Sequence, residues 1–410
     1  MASEDALLID LGRALHQATI PADVVEERLE AVARRLGITG QFFTLQSFFT
    51  MEVQNGGPPR VAVRRMSFDT HWNLKRMTAL LALADDLAAG RIGVDDGRRK
   101  IAEIAAFPPR YSRPVVVAAY GVYGAAVAAR VGGGWLEMLV GAVVGVAAGL
   151  IHFGTMRNNA IDLQKSFIAA LIGSLCAFAL TRVLPPFDAP RAVFGGITLL
   201  VPAMVVTIGV HELASEALES GTIRMAYGLL RFVMLSAGIA AAVAITHAAA
   251  APDVTATPLP WLPRLAIVGI GGVALIFCLQ GGPRDAAAIV IAVLLAYETQ
   301  ELSKWAVGPH GAPAFSAFVL GSAAYLHAHA TGRSVPVMVV PGLLQLAPGF
   351  LGTQAVLQLI GHGAAAGNSG AGFFEVIEVA VQLATGLLLA SLLFGRRRPV
   401  TQAESARRPG

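Results

Sequence analysis

Several polar or backbone-breaking residues of this chain stand inside runs that are otherwise apolar. Pro202 lies within Leu199–Gly221, a run that ends in Glu212, Glu216 and Glu219. A proline removes a backbone donor and clashes with the preceding turn, so a helix there bends or breaks. Pro336, Pro341 and Pro348 punctuate a second run, Val335–Gly352, with Gln345 and Gln354 beside Pro348. Two proline-interrupted apolar segments in corresponding halves of a membrane protein point to a substrate site. Glu212 and Arg224 have two readings: a pair that holds the broken helix against its neighbour, or a solvated turn in which Arg224 and Arg231 snorkel. Glu375 and Glu378, with Gln382 a turn further, and Glu298 and Glu301 share one helix face at i, i+3 spacing. Each pair is either a proton acceptor, as crowded and desolvated carboxylates are, or an exposed helix end.

Other chemistries find little support. His211-Glu212-Leu213-Ala214-Ser215 begins like the zinc motif HExxH but has Ser215 where the second ligand should stand. His327 and His329, two apart, fall on different helix faces. Gly269-Ile270-Gly271-Gly272 is not a dinucleotide fingerprint, since Ala274 takes the third glycine's place. No phosphate-binding GxxxxGK[ST] and no nucleophile motif occurs. The expectation is a protein that is not an enzyme, with no metal, no cofactor and no nucleic-acid partner.

The elements that must position these residues follow from composition. The chain has 410 residues, 55% hydrophobic and 14% charged, with a mean hydropathy of +0.62. Soluble domains carry about 25% charged residues, so much of this chain belongs in a bilayer. The net charge of +4 needs no nucleic acid, because many basic residues flank the first and last apolar runs. Cys176 and Cys278 both lie in apolar runs and suggest no disulfide framework. The acidic start MASEDALLID lacks the basic region of a signal peptide.

Residues 1–113 read as a cytoplasmic α+β domain. Leu7–Gln17, Ala22–Leu36, Leu74–Ala89 and Val94–Ala106 have helical periodicity, while Gln41–Val53, the turn Asn55-Gly56-Gly57 and Arg60–Met66 read as a β-hairpin. Ten apolar spans follow, near 114–130, 135–154, 166–184, 193–211 and 223–248, then 264–280, 286–304, 313–332, 334–355 and 371–394. They divide into a five-helix repeat over 114–248, a loop at 249–263, a second repeat over 264–395 and a basic tail at 396–410. Basic clusters before the first span and after the last place both termini in the cytoplasm of a multi-pass inner-membrane protein. Gly121, Gly124, Gly173-Ser174 and Gly238 recur as Gly269, Gly272, Gly321-Ser322 and Gly386, each 148 residues on. Five crossings per half would make the repeats inverted, as in many secondary transporters.

The chain resembles the bacterial threonine/serine exporter family along most of its length. Val61–Leu87 looks like the family's basic strand and Asn-containing helix start, with Arg64 and Asn73 in place. Gly133-Gly134-Trp135 matches its GGW. Leu199–Arg224 is similar to LLVPG…D…G..R, with Glu212 at the acidic position, then Gly221 and Arg224, and with Ala203 where glycine is usual. Pro283-Arg284 and Val340-Pro341-Gly342…Ala347-Pro348-Gly349 resemble the second half, sometimes carried on a separate chain. The resemblance implies proton-driven export of threonine, serine or a similar small molecule. Facing helix breaks would then cradle a zwitterion without any fixed side-chain charge: free N–H groups take the carboxylate and carbonyls the ammonium. Thr198, Pro202, Thr207, Gln345, Pro348, Gly349 and Gln354 are the candidate substrate contacts, and Glu212, Arg224, Glu298, Glu375 and Glu378 the coupling or structural charges. The rival reading is a non-transporting scaffold or sensor whose soluble domain binds a ligand. Irregular backbone at mid-membrane favours transport. Substrate, coupling ion and oligomeric state, homo-oligomer included, stay open.

Overall fold

The computed structural model describes residues 3–54, 57–66, 72–155, 162–246, 257–346 and 369–395. The part expected to be the soluble domain contains α1 (Ser3–Gln17), α2 (Ala22–Arg35), β1 (Thr39–Thr44), β2 (Phe48–Gln54), β3 (Arg60–Arg65), α3 (Leu74–Ala88) and α4 (Val94–Ala105). Leu7, Leu8, Leu11 and Leu15 of α1 and Val25, Leu29 and Val32 of α2 form the buried stripes that helical spacing requires. In β2 the alternation is strict enough to send Phe49, Met51 and Val53 inward. The expected hairpin is a three-stranded antiparallel sheet in the order β1-β2-β3. Gln41–Val53, read as one arm, turns back at Leu45-Gln46-Ser47 and pairs with itself, with Phe43 opposite Thr50. Asn73 caps α3, its side chain accepting from the Arg76 amide at 3.1 Å.

Among the described residues eleven further helices follow: α5 (Arg113–Arg130), α6 (Trp135–Thr155), α7 (Asp162–Leu180), α8 (Ala189–Ile197), α9 (Ala203–Ala214), α10 (Leu218–Thr246), α11 (Trp261–Cys278), α12 (Ala286–Ala306), α13 (Ala312–Thr331), α14 (Pro336–Leu346) and α15 (Ser369–Phe394). Each apolar segment, as far as it is described, falls on one of them, the fourth on the pair α8 and α9 and the ninth on α14 up to Leu346. Among the described residues, five helices are long and apolar enough to cross a membrane, or six if α8 and α9 count as one bent span. By length and hydropathy alone, the described helices supply five or six candidate crossings of the ten expected. The break at Pro202 is present, bending that pair by 55°. Pro341 does not break its helix, contrary to expectation: α14 runs through it from Pro336 to Leu346. The ring costs one backbone bond, which membrane helices tolerate when neighbours pack around them. Pro348, Gly349 and Gln354 lie outside the described residues.

Helix ends gather in two sets. On the soluble domain's side, Leu74 donates to the Leu279 carbonyl after α11 at 2.9 Å. The Arg110 amide before α5 donates to Gln280 at 2.7 Å, and Arg333 after α13 pairs with Asp285 before α12 at 3.1 Å. On the other side, Asp188 before α8 donates to Glu137 at 2.7 Å. Trp261 of α11 donates to Glu298 of α12 at 3.2 Å, and His310 after α12 meets Glu378 of α15 at 3.2 Å.

Two glycines 148 residues apart occupy matching seats. A Cβ on Gly238 of α10 would meet the Phe167 carbonyl, Ala170 Cβ and the Leu171 amide of α7. A Cβ on Gly386 of α15 would meet the Ala314 carbonyl, Ala317 Cβ and the Phe318 amide of α13. Gly121 faces Val146, and Gly269 faces Leu294, again 148 residues further on each side.

Candidate functional site

Asp188 caps α8, its carboxylate accepting from the Arg191 amide at 3.0 Å. After Ile197 the chain tightens into a 3-10 turn, Thr198–Leu200, and Val201 is extended at φ −70° and ψ 128°. Pro202 then starts α9 with no donor of its own. The Val206 amide returns to the Pro202 carbonyl at 3.1 Å, so the amides of Ala203, Met204 and Val205 form the unpaired first turn of a helix, the end that favours negative charge.

This break opens onto a cavity of about 900 Å³. Its membrane-side wall includes Val116, Tyr120, His152, Leu200, Pro202 and Met204, and its opposite wall Ala14, Ala18, Trp72, Asn73, Arg76 and Phe107 of the soluble domain. Lys165 and Arg231 line it and are only 4% and 6% exposed. Arg231 donates from Nε to Ser166 Oγ at 3.1 Å and lies 5.8 Å from the Tyr227 ring centre. No aspartate or glutamate is among the described residues that line the cavity. The expected site without fixed side-chain charge is thus, at this break, a cavity with two buried cations. Arg231 is no snorkelling residue at a helix mouth, because α10 starts at Leu218 and carries it thirteen residues inward.

Glu212, wholly buried, sits at the end of α9 on the soluble domain's side. Arg224, 3% exposed, grips it with two bonds, Nε to Oε2 at 3.0 Å and Nη2 to Oε1 at 2.9 Å. The Ala22 amide donates to Oε1 at 3.0 Å and the Ser220 hydroxyl to Oε2 at 3.2 Å. Gln46 of the soluble domain donates to Ser220 at 2.8 Å. Pro21, at the cap position of α2, has no side-chain hydrogen bond to offer, so Glu212 caps that helix from the membrane part. Burial and the charge of Arg224 push the nearby His16 imidazole down to about 4. Burial raises the Glu26 carboxyl to about 7, against an opposing hydrogen bond from the Thr44 amide.

The other expected residues are dispersed. Thr198 is half-buried in the 3-10 turn. The Thr207 hydroxyl donates to the Ala203 carbonyl of its own helix at 3.0 Å. Gln345 is 2% exposed, and its Oε1 has no hydrogen-bond partner among the described residues. Glu298 is half-buried and bonded to Trp261, while Glu375 and Glu378 are exposed near the start of α15 on the opposite rim. None of the three approaches Glu212. Among the described residues no group of three or more His, Cys, Asp or Glu could share a metal ion. The sequence reading passed over Lys165 and Arg231 as cavity groups. For Arg231 the signal was present in the charge itself, since a cation this far inside an apolar helix is costly. Lys165 stands at the fourth residue of α7, where a charge is commonplace.

The family model described as "Putative threonine/serine exporter" matches residues 6–246, which takes in the soluble domain, the break and the Glu212–Arg224 pair. The chain belongs to the threonine/serine exporter family. An uncharacterised protein of Schizosaccharomyces pombe is 25% identical to it over 92% of this chain and 50% of its own length. Pheromone-regulated membrane protein 10 of Eremothecium gossypii is 23% identical over 95% of this chain and 56% of its own length. The same-named protein of Saccharomyces cerevisiae is 23% identical over 57% of this chain. The chain thus spans about half the length, or less, of the curated relatives it matches. No solved structure matches it. Membership of this family together with several long apolar helices makes this threonine/serine-exporter relative a multi-pass membrane protein.

Proposed function

We propose that the chain is a secondary exporter of a small amino acid of the threonine/serine class, loading its substrate at the break around Pro202. One observation carries this: a broken span opens onto a cavity of about 900 Å³ that reaches from the soluble domain to the irregular backbone. Irregular backbone at membrane depth is tolerated where it lines such a space. The carboxylate of the substrate lies against Lys165, Arg231 and the first amides of α9, and the ammonium against the carbonyls that end α8. Thr198, Thr207 and Gln345, with Gln354, Pro348 and Gly349, remain the further candidates for substrate contact in this reading. In this reading all ten apolar segments cross an inner membrane, both termini are cytoplasmic, and residues 114–248 and 264–395 are inverted repeats, a view supported by the matching seats of Gly238 and Gly386. Protons drive export, with Glu298, Glu375 and Glu378 the candidate carriers, and Glu212 serves structure.

Counterflow in proteoliposomes tests this. Labelled threonine or serine should accumulate against the unlabelled compound, a pH gradient should drive net flux, and Arg231→Gln should raise KM at least tenfold. Absence of counterflow with either amino acid, in protein that elutes as one folded species, would overturn the proposal.

A further inference from the structure

Four donors converge where α5, α11 and α12 meet, on the rim opposite the soluble domain. Residues just before α5 bond to the residue two after the end of α11, so the two helices run antiparallel. Halfway along, they touch: a Cβ on Gly271 would lie 2.6 Å from Ala126 Cβ and 3.6 Å from the Tyr123 ring. Arg130 follows Tyr123 by seven residues, and Arg264 precedes Gly271 by seven. A step of seven returns to the same helix face. The antiparallel register therefore brings two guanidinium groups to the same end of the seam. Tyr297 of α12 lies within electrostatic reach of both arginines, and Tyr123 within reach of Arg130.

The hydrogen-bond account of this cluster does not close. Nε of Arg130, Nε of Arg264 and the hydroxyls of Tyr123 and Tyr297 are all buried, and none has a partner among the described residues. Tyr123 is 1% and Tyr297 3% exposed. Buried polar groups in folded proteins are nearly always hydrogen-bonded, and an orphaned one costs about 1–3 kcal/mol. Glu301 acts on Arg130 and Tyr297, and Glu298 on Tyr297, through charge alone. Their direct contacts go to other groups: Glu298 accepts from Trp261 at 3.2 Å and Glu301 pairs with Lys304 at 2.6 Å. Two half-buried guanidinium groups and two buried phenols, all able to donate, suit an acceptor that carries negative charge.

We propose that Arg130, Arg264, Tyr123 and Tyr297 form a second binding site, for an oxyanion, separate from the cavity at Pro202. The occupant is a carboxylate of a small solute on the far side of the membrane, or the phosphate of an anionic lipid headgroup. Either presents flat or tetrahedral oxygens that guanidinium groups grip by paired bonds.

Trp261, on the same rim, reports on the site once Trp72, Trp135 and Trp305 are changed to Phe in the full-length chain. In neutral detergent its emission should change saturably with sodium acetate, with L-threonine or with short-chain phosphatidylglycerol. Arg264→Gln and Arg130→Gln should raise the Kd at least tenfold and Tyr297→Phe about threefold, whereas Arg231→Gln, in the other cavity, should leave it unchanged. A response to acetate and threonine identifies a solute site. A response to phosphatidylglycerol but not to phosphatidylcholine identifies a lipid site. No response to any probe, or an unaltered response in Arg264→Gln protein with the parent's elution profile, overturns the proposal. Binding is the readout, so failure of the transport reading would leave this test intact.

Discussion

At Glu212 two oxygen atoms accept from Arg224, Ala22 and Ser220 with no water-facing surface. Removing one partner of a buried pair strands the other, which typically costs about 3–5 kcal/mol, whereas removing both can cost less. Glu212→Gln and Arg224→Gln should each lower the melting temperature and loosen the soluble domain, seen as faster protease cleavage between residues 106 and 112. The double substitution should be no worse than the worse single one. Strictly additive losses in this cycle would show that the two residues act independently. Lys165 and Arg231 teach a complementary lesson about reading charges. Placing the start of α10 near residue 223 instead of 218 makes Arg231 look like an interfacial residue, and only the helix beneath it shows how far inside it sits.

Helix elements were the most legible part of the sequence, because apolar runs of bilayer length have few alternatives to a helix. The break at Pro202 was legible too, since the proline falls mid-run. Pro341 carried the same signal and gave no break, because tolerance of a proline depends on what packs around the helix. The β1–β2 turn was missed for a local reason: Leu45-Gln46-Ser47 contains no glycine, asparagine or proline, the residues by which turns are usually recognised. The glycine repeat at 148 residues was visible as a number, but its meaning came from packing. A Cβ at Gly238 would sit 2.4 Å from the Phe167 carbonyl and one at Gly386 2.2 Å from the Ala314 carbonyl. At Gly269 the nearest atom is 3.6 Å away, an ordinary contact. Gly238→Val and Gly386→Val should therefore each cut the folded yield in detergent several-fold, measured by fluorescence-detected gel filtration. Gly269→Val should stay near the parent. Equal yields from all three would mean that these seats do not hold α7 to α10 or α13 to α15.

On the scale of the whole molecule, the soluble domain forms one wall of the cavity, and its grip varies with pH. Glu26 is raised to about 7 in the folded protein, chiefly by burial, so the folded state holds this proton more tightly than the unfolded chain. Its contribution is complete below the ordinary carboxylate range and is lost as pH rises through 7. His16, lowered to about 4 chiefly by burial, works the other way: its contribution is complete above the ordinary histidine value and fades as pH falls towards 4. The parent should lose on the order of 1 kcal/mol from Glu26 between pH 5 and 8, discounted because the group is partly solvated. Glu26→Gln should flatten that alkaline decline while the acid-side loss from His16 persists. Thermal melts at half-unit pH steps would show this, and an unchanged alkaline limb in Glu26→Gln would assign the decline to another group.

The bond between the Ala22 amide and Glu212 spans 190 residues of chain, and that separation is also an interval of time. A ribosome adding about 5–20 residues per second needs roughly 10–40 s to pass from one to the other. Arg224, twelve residues after Glu212, follows it within roughly 0.6–2.4 s at the same pace, so both members of the ion pair are made almost together. The soluble domain has no such neighbour at birth. It has to fold around Leu7, Leu11, Leu29 and Phe49 and wait, with the first amide of α2 open to water, until the acid that caps it has been threaded into the bilayer.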